Sequence, residues 1–183
     1  MDSVNSLKNG KIGVMPTDTI YGIVGSALNP KTVEEIYRIR KRSLDKPMVI
    51  LISSLDDLKK FGIKLTEAQI DFLQKHWPNP LSIVLPVHEN KFKYLHRSTK
   101  SLAFRFPNDE KLVELIKQTG PLVAPSANFE GEKPSENINE AKKYFGSAVG
   151  FYVDAGEIKG EPSTLVELKG SSLKVLRQGK FKV

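Results

Sequence analysis

Cysteine is absent from this chain. Neither a disulfide framework nor a thiolate metal site is therefore available, which fits a reducing cytoplasm. The three histidines, His76, His88 and His96, lack metal-ligand spacing and are expected to be surface or internally satisfied side chains. No apolar run is long enough to span a bilayer, and the leading MDSVNSLKNGK holds no apolar core of a signal peptide. A cytoplasmic protein with no membrane partner is expected. The phosphate loop G-x-x-x-x-G-K-[ST] and the G-x-G-x-x-G fingerprint are both missing. Ser126 lies in APSAN rather than in G-x-S-x-G, so a nucleophile elbow is not indicated.

What is present suits an ordinary soluble fold. Hydrophobic residues make up 39% and charged residues 27% of 183, enough to bury a core in one domain spanning residues 1–183. Lysine and arginine total 28 against 21 acids, a net charge of +7. That balance favours polyanionic partners such as nucleotides or RNA, although a solvated surface explains it equally well.

Strand and helix patterns alternate. KIGVM reads as a strand. Asn29 caps a helix with Pro30 at its first position and Val33, Ile36 and Tyr37 on its apolar face. That helix ends in the basic cluster RIRKR, and PMVILI follows as a buried strand. Ser54 opens the short helix LDDLKKFG, closed by Gly62. Thr66 and Gln69 form a capping box for a helix that buries Ile70 and Leu73 and is broken by WPNP. LSIVLPV and SLAFRF are strands. The second puts Leu102, Phe104 and Phe106 on one face and Ala103 and Arg105 on the other. Asn108 caps a helix that ends at Gly120. PLVAP runs into the polar loop SANFEGEKPSEN, and Asn137 with Glu140 starts a helix ending at Gly146. VGFYVD, STLVEL and LKVLR supply late strands. The expected class is α/β or α+β, a sheet with helices packed against it.

Small polar and basic residues gather at the ends of these elements. The segments are PTDTIYG, RIRKRSLDKP, FRFP, APSAN, GEPSTL and LRQG. Ligands of open α/β sheets bind outside strand ends. Arg105 stands inside an aromatic strand, where an unpaired guanidinium is costly. It needs an anion. A bound carboxylate or phosphate and an internal Asp or Glu both satisfy that need.

Together, PTDTIYG, the R-x-R-x-x-x-K-P segment, WPNPLSIVL, AFRFP, APSAN, G-x-x-S-T-L and L-R-x-G resemble the YrdC-like family, in order from about Met15 to Gly179. The resemblance is to the short, single-domain threonylcarbamoyl-AMP synthases. It implies a twisted mixed sheet flanked by helices around a basic concave cavity. It also implies a nucleotidyltransferase reaction joining L-threonine, bicarbonate and ATP, with Mg²⁺ arriving on the ATP. The product would serve threonylcarbamoyladenosine modification of tRNA, with tRNA met directly or through downstream transfer proteins. Carried onto this sequence, the resemblance assigns Thr19, Arg105 and Ser163 to threonine. It assigns Arg40, Arg42, Ser126 and Asn128 to the reacting groups. Arg42, Lys46, Ser101, Ser126, Asn128 and Arg177 fall to ATP. Thr17 and Asp18 are expected to shape their loop. Arg40 stands where the family usually has lysine, Leu51 where some members have histidine, and Glu130 where serine is common. The alternative is a YrdC-like protein that binds double-stranded RNA or tRNA without synthase activity. The carbamoyl-transfer use of the fold, in much larger zinc-containing chains, ranks below both.

Overall fold

The apolar runs line up in one mixed sheet. The structure, a computed structural model, describes residues 2–170 and 172–183. Its strands are β1 (Gly13–Pro16), β2 (Tyr21–Ser26), β3 (Val49–Leu51), β4 (Leu81–Pro86), β5 (Ser101–Arg105), β6 (Leu122–Val123), β7 (Phe151–Tyr152), β8 (Thr164–Lys169) and β9 (Ser172–Arg177). They are ordered β7-β1-β2-β6-β3-β5-β4-β8-β9. β1 pairs with β2 antiparallel, β3 with β5 parallel, and β4 with β5 antiparallel and β8 parallel.

Alternation along the strands sends neighbouring residues to opposite faces. Val14, Ile23 and Ile50 join the larger core, where Val33 and Ile36 of α2 (Pro30–Ile39) pack. Their neighbours Met15, Val24 and Leu51 join a second core with Leu7 of α1 (Ser3–Lys8). Leu112 and Ile116 of a later helix (Glu110–Thr119) close that second face. The sheet is thus covered on both sides. The other helices are α3 (Glu67–His76), α4 (Lys93–His96) and α6 (Ile138–Phe145), so Glu110–Thr119 is α5. Among the described residues no helix is long and apolar enough to cross a membrane.

Most helix starts follow the capping chemistry read from sequence. The Asn29 side chain accepts from the Lys31 and Thr32 amides, Thr66 and Gln69 make their reciprocal box, and Asn137 accepts from the Glu140 amide. Three expectations are corrected. The cap of α5 is Asp109, whose side chain accepts from the Leu112 amide at 3.0 Å, not Asn108. A start at Asp109 turns Leu112, Leu115 and Ile116 into the core. Leu55–Phe61 is a 3₁₀ helix without a side-chain cap from Ser54. Asp57 ties down its start instead, accepting from both the amide and the hydroxyl of Ser53 at 2.8 Å. Ile70 is only half-buried, while Gln69 is buried beside Leu73.

Sequence reading missed β2 altogether. Gly22 and Gly25 dilute its β-branched signal. Gly25 is there for packing: a Cβ at this position would press on the Thr32 methyl and Ile36 of α2.

Candidate active site

The turn between β1 and β2 is built by one hydroxyl. Pro16 and Tyr21 form the last cross-strand pair, leaving Thr17 to Ile20 as the turn. The Thr17 hydroxyl donates to the Ile20 carbonyl at 2.7 Å and accepts from the Thr19 amide at 3.3 Å. The Thr17 and Thr19 hydroxyls lie 3.1 Å apart. Tyr21 and Gly22 belong to β2 itself. The segment before β8 closes over this turn, since a Cβ at Gly160 would collide with the Thr19 carbonyl oxygen.

β2 also brings the APSAN segment alongside. The Ile23 amide donates to the Pro125 carbonyl and the Ala127 amide to the Tyr21 carbonyl, which sets Ser126 opposite Gly22. PTDTIYG and APSAN, about a hundred residues apart in the chain, thus become adjacent walls.

The end of α2 supplies two arginines. The Arg42 amide reaches back to the Tyr37 carbonyl and the Lys41 amide to the Arg38 carbonyl, with Lys41 left-handed at φ 52°. This is the Schellman closure, here without glycine. Arg40 is buried at 2% exposure. Its Nε donates to the Asn128 carbonyl at 3.1 Å, and its Nη2 to the Ser126 hydroxyl at 3.2 Å and to Asn128 Oδ1 at 3.3 Å. Nη1 is buried without a partner. Burial, and then the charge of Arg42, lower the Arg40 pKa to about 10. Arg42 folds onto its own loop, donating to the Lys46 and Pro47 carbonyls. That loop is clipped to the APSAN side, where Glu130 accepts from the Ser43 amide and pairs with the Lys46 ammonium at 2.6 Å.

Arg105 ends β5, pointing away from Leu102 and Phe104. Its Nη2 lies 2.9 Å from Asp18 Oδ1, both side chains at 5% exposure or less. An internal carboxylate is thus present. Nε is buried without a partner. Burial pulls the Arg105 pKa down, Asp18 raises it, and Arg177 lowers it again, with a net fall. Ser163, just before β8, is buried with its hydroxyl 2.8 Å from that of Ser82 on β4. Ser82 escaped sequence reading because it sits in the middle of an apolar strand. Arg177 Nη2 donates to the Ser163 carbonyl at 2.8 Å.

These segments enclose a cavity of about 250 Å³. Thr19, Arg40, Arg42, Arg105, Ser126, Ser163 and Arg177 all line it. Four of these are arginines, and among the described residues no carboxylate lines the cavity. Such a wall is shaped for anions. Asn128 stands directly behind it, holding Arg40. Lys46 and Ser101 are not in the lining. Lys46 is spent on Glu130, and the Ser101 hydroxyl donates to Thr99. Among the described residues no cluster of three or more His, Cys, Asp or Glu is placed to hold a metal.

The geometry has relatives. The family model described as "Telomere recombination", covering Sua5, YciO and YrdC, matches residues 5–179. A protein of Mycobacterium leprae named putative threonylcarbamoyl-AMP synthase is 30% identical over 183 residues, covering 99% of this chain and 83% of that protein. The crystal structure of Pyrococcus abyssi Sua5 complexed with L-threonine superimposes with a TM-score of 0.88 at 28% identity over 97% of this chain. This chain spans about half of that one, 53%. Escherichia coli YciO, at 19% identity and a TM-score of 0.84, shares the fold. With its motifs, sheet and cavity all in place, the chain belongs to the Sua5/YciO/YrdC family.

Proposed function

We propose that this protein is a threonylcarbamoyl-AMP synthase. One observation carries the reading: arginines and hydroxyls from six separate segments converge on a single cavity whose lining holds no carboxylate among the described residues. The name of the M. leprae relative and the threonine complex of the P. abyssi structure support threonine and ATP as substrates. Bicarbonate as the third substrate follows from the chemistry of the carbamoyl group.

The reaction joins two anions. The threonine nitrogen adds to carbon dioxide supplied by bicarbonate, and loss of its proton leaves a carbamate. A carbamate oxygen attacks the α-phosphorus of ATP, the bond to the β-phosphate oxygen breaks, and pyrophosphate leaves. Positioning and charge neutralisation suffice, without a covalent nucleophile on the protein. In this reading Arg105 takes the amino-acid carboxylate, with Thr19 and Ser163 beside it. Arg40, Arg42 and Arg177 face the phosphates, and Arg40 holds Ser126 and Asn128 at the reacting groups. Lys46 and Ser101, outside the lining, are left to the exposed end of the nucleotide. Mg²⁺ enters on the ATP, where it shields the phosphates. The product serves threonylcarbamoyladenosine formation on tRNA, through downstream transfer proteins. A module that only binds RNA needs the arginines, but gives no role to the Ser126 and Asn128 contacts of Arg40.

The test is pyrophosphate release from ATP with Mg²⁺. Release above background requires both threonine and bicarbonate, and its absence with all substrates present overturns the reading. Arg105→Ala is expected to raise the KM for threonine about tenfold or more and the KM for ATP far less. Equal effects on both rule out the carboxylate role.

A further inference from the structure

We infer that Asp18 is a positioning residue, holding Arg105 so that the remainder of its guanidinium meets the substrate carboxylate. The inference rests on the synthase reading above and adds to it a residue that does not line the cavity.

The turn that carries Asp18 does not need its carboxylate. The hydrogen bonds closing that turn run from the Thr17 hydroxyl and the backbone. Neither Asp18 oxygen makes an aligned hydrogen bond, although both are buried. A carboxylate in that position is costly unless it meets a charge. The nearest charge it meets is Arg105 Nη2, at 2.9 Å, with Lys180 and the Asn108 amide contributing less.

Arg105 has reason to need such a partner. Its main chain is fixed by the sheet, its carbonyl accepting from the Ile52 amide at 3.0 Å. Its side chain is nevertheless long, and the charge of Arg177, which lines the same cavity, works against it. Asp18 supplies the counter-charge that opposes Arg177 and fixes the guanidinium's orientation. Asp18 engages one corner of a group that offers five N–H donors in a rigid fork. Nε is left buried and unpartnered on a residue that lines the cavity. Nε shares its edge with Nη2 and is turned into the protein, so the edge left for a second anion is that of Nη1. One edge thus belongs to the protein and the other to the ligand, and this division presets the distance and plane at which a carboxylate docks.

Steady-state kinetics of pyrophosphate release test this with D18N, R105Q and the double variant. D18N is expected to raise the KM for threonine about tenfold, a loss of about 1.4 kcal/mol. The KM for ATP and kcat at saturating threonine should move by less than about threefold. In the R105Q background, D18N should add less than about twofold, because a residue acting through Arg105 has nothing left to act on. A D18N effect equal on both KM values, absent from both, or undiminished beside R105Q overturns the inference. If D18N does not fold, D18E keeps the charge but shifts it by one methylene. A raised threonine KM in D18E supports the inference, and wild-type values overturn it. A wild-type protein that releases no pyrophosphate overturns the synthase reading and this inference together. Activity in the wild type without the D18N split overturns this inference alone.

Discussion

Thr19 shows how a single side chain divides its duties. It is only 4% exposed, yet it faces the cavity and touches Thr17 rather than holding the turn itself. Thr19→Ala should therefore raise the KM for threonine about five- to thirtyfold, the worth of one or two hydrogen bonds, while the melting temperature falls by only a few degrees. Titration calorimetry with threonine and a thermal melt check both halves. A melt that collapses with unchanged threonine affinity reverses the assignment. The hydroxyl excess in PTDTIYG was visible in the sequence, but its division of labour between Thr17 and Thr19 was not. Arg105 was legible as a buried cation in need of an anion. Which anion was not, because Asp18 lies 87 residues earlier and meets it only across the sheet.

At the scale of elements, chain ends carry both stability and site. The Schellman closure of α2 turns Arg40 and Arg42 toward the cavity and Lys41 over the Phe129 ring, 4.1 Å from its centroid. The 3₁₀ helix is pinned by Asp57, and this pin titrates. Burial pushes the Asp57 carboxyl up, but Lys60 and the amide and hydroxyl of Ser53 more than offset it, leaving the pKa below its ordinary 3.8. A depressed carboxylate stabilises the fold above the unfolded pKa, and that stability is lost as pH falls through the folded one. Asp57→Asn should thus cost about 1–3 kcal/mol at pH 7, with a gap to wild type that shrinks below about pH 4. Urea melts at pH 7 and pH 3 measure it, and a pH-independent gap removes the charge from the explanation. Capping residues were readable because caps act within four residues. The shift from Asn108 to Asp109 was not, since both are good caps and the core face of α5 chose between them.

At the scale of the molecule, the site depends on the sheet as a whole, because its walls come from β1–β2, the end of α2, β5, APSAN and the β8–β9 pair. Core packing away from the cavity should then govern how much protein is folded, not how the folded site binds. Phe61 is fully buried and packs edge-on against Phe104, with ring centroids 5.2 Å apart. Phe61→Ala should cost about 3–5 kcal/mol, lowering the melting temperature by roughly 6–20 °C. Both KM values should stay at wild-type levels below that transition. A changed KM at full folding indicates that this core sets cavity geometry as well as stability.

By itself the sequence determined the alternation of elements, the caps, the segments bearing hydroxyls and arginines, and the likeness to a family. Each depends on residue type and spacing within a few positions of the chain. Tertiary structure decided the partners. It set Ser82 behind Ser163, placed Arg40 on Ser126 and Asn128, and gave Arg105 to Asp18. Those contacts span from 81 to 88 residues of chain. They follow from strand order and pairing, which local periodicity does not encode.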